Sequence, residues 1–199
     1  MLTPTPQIHT WFPRSIFIID NVLESKLPEY EQKLREVLAE TGTHGTDFLA
    51  VHSTHKTSPN LHKNPFFQDL TTEILTHASS FVAKLGYPAN YFENLQIDTM
   101  WTNISYEGNY IFPHIHPASF ISGVYYVKKF PDSKISFFKD YNMLPTPESF
   151  DQLSYEYCLY DCEPGRLLMW KSDFLHGNGR QAEGEKIAIS FNITVRRND

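Results

Sequence analysis

Apolar residues in the first half of the chain recur at steps of three and four. Leu27, Tyr30, Leu34, Val37 and Leu38 fall on one helical face, which predicts an amphipathic helix over residues 27–40 with Gly42 as its stop. A longer stripe of Leu70, Ile74, Leu75, Ala78, Phe81, Val82 and Leu85 predicts a second helix, closed by Gly86 and Pro88. The stretch THGTDFLAVHSTHKTSPNLHKNP between them is polar and contains proline, so it reads as a loop. Its histidines, His44, His52, His55 and His62, are irregularly spaced and are expected to be solvated, a second metal site being the alternative.

From Leu95 onward the period changes. β-branched and aromatic residues gather in short runs at 95–106, 119–128, 134–138, 154–161, 166–170 and 185–196, separated by turn formers such as Glu107-Gly108-Asn109 and Glu163-Pro164-Gly165. Helices followed by strands predict an α+β fold, a single domain over 1–199 with a helical part at about 1–90 and a β core at about 91–199. The chain of 199 residues, 41% hydrophobic and 15% aromatic, is long enough to bury one such core.

Charge and composition narrow the function. The net charge of −6 is spread without a long basic run, which argues against a nucleic-acid partner. No apolar run approaches the ~20 residues that span a bilayer, and the N-terminal MLTPTPQIHTWFPR has no basic region followed by an apolar stretch. Cys158 and Cys162, on one predicted strand, would point the same way about 13 Å apart, too far for a disulfide. No membrane association and a cytoplasmic location are expected.

The candidate chemistry lies in PHIHPASF. On an extended strand His114 and His116 share a face with side-chain origins about 7 Å apart, close enough to converge on one ion. A third ligand is needed, and the best candidate is His176 in KSDFLHGNG, 62 residues after His114. A short-spaced pair with a remote histidine from a later strand is a ligand layout of non-haem iron sites, although His-x-His alone also suits an incidental hydrogen-bonded pair.

Three ordered blocks, YEGNYIFPHIHPASFISGVYYV, EPGRLLMWKSDFLHGNGR and EKIAISFNI, give that layout a context. They resemble the 2-oxoglutarate- and Fe(II)-dependent oxygenases. The likeness is strongest to the prolyl-4-hydroxylase-like branch and to small bacterial and phage oxygenases with a His-x-His-Pro-x-Ser-x-x-Ser-Gly-Val-Tyr-Tyr signature. The resemblance covers residues 100–194. It implies a double-stranded β-helix barrel, of the jelly-roll and cupin type, supported by N-terminal helices. It also implies an enzyme that consumes Fe(II)-bound 2-oxoglutarate and O2, hydroxylates a protein or small-molecule substrate, and releases succinate and CO2. His114, His116 and His176 then become the metal ligands and catalytic centre. His116 stands where the family ordinarily carries Asp or Glu, which leaves the site one negative charge short. His116 behind the ligands, or Asp173 as a substitute carboxylate, are the alternatives.

The resemblance also places a cation on a strand about ten residues after the distal histidine to bind the far carboxylate of 2-oxoglutarate, and Lys186 falls there. Along that strand Lys186, Ala188, Ser190 and Asn192 form a row opposite Ile187, Ile189, Phe191 and Ile193, so Ser190 and Asn192 are expected beside the anion. Arg180 is the rival anchor. Asn103 and Tyr126 match family positions that touch the cosubstrate, Ser122 shares the parity of Tyr126, and Ser119 and Trp101 are expected near the substrate entrance. Residues 139–153 are a candidate lid. Two other functions stay open: a non-catalytic jelly-roll protein binding a metal or anion, and a three-histidine cupin-type dioxygenase that does not use 2-oxoglutarate.

Overall fold

The computed structural model describes residues 13–42, 44–46, 49–139 and 154–196. Among them are three α-helices, α1 (Leu27–Thr41), α2 (Gln68–Lys84) and the short α3 (Ala89–Phe92). The strands are β1 (Ile16–Ile19), β2 (His44–Thr46), β3 (Leu49–Ser53), β4 (Leu95–Ser105), β5 (Ile111–His114), β6 (Ile121–Lys128), β7 (Lys134–Phe138), β8 (Tyr157–Asp161), β9 (Leu167–Lys171), β10 (His176–Asn178) and β11 (Lys186–Val195). Apart from Lys139, the segment read as a lid lies outside the described residues.

All strand pairings are antiparallel, in the order β1-β9-β6-β11-β4-β3-β5-β10-β7-β8, with β2 on β3. The run from β1 to β4 forms one wall and the run from β5 to β8 the other. Val124, Trp170 and Ala188 of the first wall pack in one cluster with Ile135 and Phe137 of the second. This is the two-sheet jelly roll that the residue pattern and the resemblance lead to.

The alternation along β11 decides what lies on each side of the first wall. Ile187, Ile189, Phe191 and Ile193 are fully buried against Tyr30, Leu34 and Val37 of α1 and Leu70, Ile74, Ala78, Phe81 and Val82 of α2. Each such side chain removed from water contributes about 1.5–3 kcal/mol. Charges fix α1 to the same wall: Arg35 bridges Glu31 and Glu185, and Lys128 reaches both carboxylates. The opposite row of β11 is left to face the space between the walls.

One expectation about the N-terminal half changes. Both long helices form as the stripes predict, and Gly42 ends α1 with φ of 72°. The region of 1–90 is not purely helical, however, because it also holds β1, β2 and β3. β1 pairs with β9, and β3 joins β4 through His52↔Ile104 and Ser53↔Asn103. These strands are three to five residues long, and β1 and β3 depend on distant partners, so no local period announces them. Cys158 is exposed and Cys162 buried, and both are free thiols.

Candidate metal centre and cavity

β5 and β10 lie side by side with His114 directly opposite His176. Gly177 makes this approach close: a Cβ there would sit 2.7 Å from the Ile111 carbonyl oxygen and 3.0 Å from the Pro113 nitrogen. β5 ends at His114, so His116 lies just beyond the strand rather than on it as expected. Its backbone N–H donates to the Ser172 carbonyl at 2.9 Å, and its own carbonyl accepts from Ser119 N–H at 3.3 Å across a turn in which Ala118 has φ of 70°.

The three rings meet. The ligand nitrogens of His114, His116 and His176 all lie within 4.8 Å of one another, and the Nε2 atoms of His116 and His176 are 3.2 Å apart. Two imidazole nitrogens bound at about 2.1 Å and at right angles on one ion would be about 3.0 Å apart, so this pair has the spacing of neighbouring ligands. Ring orientation supports it at two of the three positions. Nδ1 of His114 is 2.8 Å from the Phe112 carbonyl oxygen, and Nδ1 of His176 is 2.8 Å from that of Phe174. A carbonyl only accepts, so both Nδ1 atoms carry the proton and both Nε2 lone pairs are left for an ion.

Electrostatics point the same way. Burial lowers the pKa of His114, and burial together with His114 and His55 lowers that of His116 to about 4. Burial, then His114, brings His176 to about 3. The rings are therefore neutral near pH 7, the state in which imidazole binds a metal. Asp173 takes no part: it pairs with Arg14 at 3.5 Å and lines a separate cavity.

Between the walls, beside the three histidines, is a cavity of about 730 Å³. The inner row of β11, Lys186, Ala188, Ser190 and Asn192, lines it, together with Asn103, Tyr126, Trp101 and Ser119. Lys186 is 6% exposed and has no hydrogen-bond or ion-pair partner among the described residues. Burial lowers its pKa, with only the Cys162 thiol acting in the other direction. An unpaired ammonium out of water is costly, and an anion in the cavity would relieve that cost. Tyr126 is fully buried, and burial and Cys162 raise its pKa well above the ordinary phenol value, which keeps it a neutral donor.

Further along the same wall the polar groups bond one another. Asn103 Nδ2 donates to Ser190 Oγ at 3.0 Å. Asn192 Nδ2 donates to Thr99 Oγ1 at 3.2 Å and its Oδ1 accepts from Ser122 Oγ at 2.8 Å. Ser122 Oγ also lies 2.8 Å from Ser172 Oγ, on the residue whose carbonyl holds the His116 backbone. Ser122 thus stands behind Asn192 and does not line the cavity.

Arg180 does not join this group. Its guanidinium lies 5.5 Å from the Tyr110 ring centroid, in a separate groove of about 340 Å³. In the other direction, His55 was expected to be solvated and instead lines the cavity, its ring centroid 4.4 Å from that of Trp101. Thr54 ties this segment to β4 by donating N–H to the Thr102 carbonyl and accepting from Thr102 N–H at Oγ1. No local signal marks that contact. Thr99 and Ser105, which also line the cavity, share the parity of Trp101 and Asn103 on β4 and were readable from alternation.

A family model described as "Putative 2OG-Fe(II) oxygenase" matches residues 99–192, which include all three histidines and Lys186. No curated protein sequence matches the chain. Solved structures do. A prolyl-4-hydroxylase from Pseudomonas putida superposes with a TM-score of 0.67 at 11% identity, covering 92% of this chain and 94% of that one. The non-haem α-ketoglutarate-dependent epimerase SnoN from nogalamycin biosynthesis gives 0.67 at 13% identity, with 92% and 79% covered. HygX from Streptomyces hygroscopicus, solved with nickel and 2-oxoglutarate, gives 0.61 at 13%, with 92% and 83% covered. The chain thus shares the double-stranded β-helix fold of these structures, and its region from β4 to β11 is similar to the family of 2-oxoglutarate- and Fe(II)-dependent oxygenases.

Proposed function

We propose that the protein is a 2-oxoglutarate-dependent dioxygenase that hydroxylates a protein or small-molecule substrate, with His114, His116 and His176 holding Fe(II). The observation that carries this reading is the pairing of three neutral imidazoles within 4.8 Å with a buried Lys186 that lines the same cavity and has no partner among the described residues. The donor set suits the ion: His114, His116 and His176 would supply three neutral nitrogen donors, fewer than Fe(II) can accept, so a keto acid and O2 could also bind it. When bound, Fe(II) supplies the activation of O2 that no side chain can supply.

The chain's own residues do the rest. Lys186 pairs with the far carboxylate of 2-oxoglutarate, and Tyr126 and the Asn103–Ser190 pair offer donors along the molecule's flank. The backbone carbonyls of Phe112 and Phe174 keep two imidazoles in the ligating tautomer. A cavity of about 730 Å³ is larger than one keto acid needs, and the surplus beside Trp101, His55 and Ser119 is space for the substrate. Trp170 and Phe137 pack around His176 and exclude water from that side.

Related structures have been solved with a peptide, as in the prolyl hydroxylase of Trichoplax adhaerens, and with an antibiotic, as in HygX with hygromycin B. Both substrate classes therefore stay within the proposal. Incubation with Fe(II), 2-oxoglutarate and O2 tests it. Succinate should form even without the natural substrate, by slow uncoupled turnover, and stop on chelation of iron. O2 uptake that ignores 2-oxoglutarate would favour the three-histidine cupin-type reading, and neither activity would favour a non-catalytic protein.

A further inference from the structure

The three histidines are not held alike, and this deepens the reading of them as a metal site, on which the inference rests. His114 and His176 use the same device: each ring is fixed by a 2.8 Å contact from Nδ1 to the carbonyl oxygen two residues earlier, Phe112 or Phe174. Such a bond sets the ring plane, fixes the tautomer and makes the opposite nitrogen a better donor. His116 has no partner on Nδ1 among the described residues. Its Nε2 is directed at the shared centre, 3.2 Å from Nε2 of His176, but among the described residues its ring is otherwise held by ring contacts, 25° from parallel on His176 and 6.1 Å from the Trp101 centroid.

The main chain repeats the difference. His114 and His176 are paired strand residues facing each other across β5 and β10, whereas His116 stands beyond the strand in a turn that includes Ala118 at φ of 70°. The His116 main chain is held by its N–H bond to the Ser172 carbonyl, so what sets this histidine apart is that its ring has neither the strand pairing nor the Nδ1 contact of the other two.

We propose that His116 is the weak, exchangeable member of the triad: the metal is retained by His114 and His176, and the position held by His116 is open to replacement by another donor. A ligand exchange of this kind needs no redox step, since one lone pair leaves the ion and another takes its place.

Co(II) titration of the full chain, with affinity read by competition against a chelator, tests the ranking. His116→Ala should keep at least about tenfold more affinity than His114→Ala or His176→Ala, the lower end of the ~10–100-fold that a ring's hydrogen-bond partner contributes. Proton NMR of the Co(II)-loaded wild-type protein gives a second readout that needs no variant to fold. Of the paramagnetically shifted ring N–H signals, two should exchange slowly with water and a third, from His116, fast. Equal losses in all three variants, or three slowly exchanging signals, would overturn the inference while leaving the metal site intact. Wild-type protein that binds no Co(II) would overturn both.

Discussion

Gly177 and Ile111 touch through their backbones so closely that a single methyl group on Gly177 would lie 2.7 Å from the Ile111 carbonyl oxygen. The contact is between main chains of β5 and β10, so neither side can rotate away, and the two strands carry His114 and His176. Gly177→Ala is expected to push these rings apart by a fraction of an ångström. The protein should still fold, at a cost of about 1–3 kcal/mol, but lose metal affinity by at least tenfold. Chelator competition together with urea unfolding separates the two effects.

Lys186 makes two opposite predictions from one cause. Replacing it by Met removes a buried ammonium that has no partner among the described residues, so the melting temperature should rise, by about 2–4 °C for each kcal/mol recovered. On the proposed function the same change also removes the anchor for the keto acid, and it should raise KM for 2-oxoglutarate at least about 30-fold, corresponding to ~2 kcal/mol. A structural lysine would show neither the gain in stability nor the selective loss of the cosubstrate. Differential scanning calorimetry and succinate-release kinetics give the two numbers.

The chain Thr99–Asn192–Ser122–Ser172 predicts a stability effect on a cavity wall. Asn192→Ala leaves the buried hydroxyl of Ser122 with one partner fewer and should cost about 1–3 kcal/mol in urea unfolding. Asn192→Asp keeps an acceptor for Ser122 but loses the donor to Thr99, and should fall between.

Low pH should destabilise the metal-free protein. The pKa values of His116 and His176 are lowered, to about 4 and about 3, from an ordinary 6.5, so below pH 6.5 the unfolded chain takes up protons that the folded one refuses. The stability these groups contribute is complete above pH 6.5 and is lost as pH falls toward 3. Melting of the metal-free protein at pH 7.5, 6.0 and 4.5 should decline across the series, and His176→Phe should flatten that decline.

Much of this was legible in the sequence where a regular period and burial coincide. β7 runs over Lys134–Phe138 as its alternation predicts, and the two rows of β11 separate helix-facing from cavity-facing residues. The histidine triad was readable because three ordered blocks carried it, not because of the pair's spacing, since His116 lies past the end of its strand. What was not legible depends on distant partners. β5 and β10 have four and three residues, and His55 is brought to the cavity by contacts of Ser53 and Thr54 with β4. Arg180 was a reasonable rival to Lys186 by offset alone, but its distance along the chain from His176 does not say which cavity it will face.

The central claim is that three imidazoles and Lys186 together hold Fe(II) and 2-oxoglutarate in one cavity. Anaerobic titration with both, followed by visible absorption, tests it most directly. A metal-to-keto-acid charge-transfer band should grow to one equivalent in the wild-type protein, be absent in His176→Ala, and need far more 2-oxoglutarate in Lys186→Met. A wild-type protein that binds Fe(II) and 2-oxoglutarate without developing the band, or a band unaffected by either substitution, would contradict it.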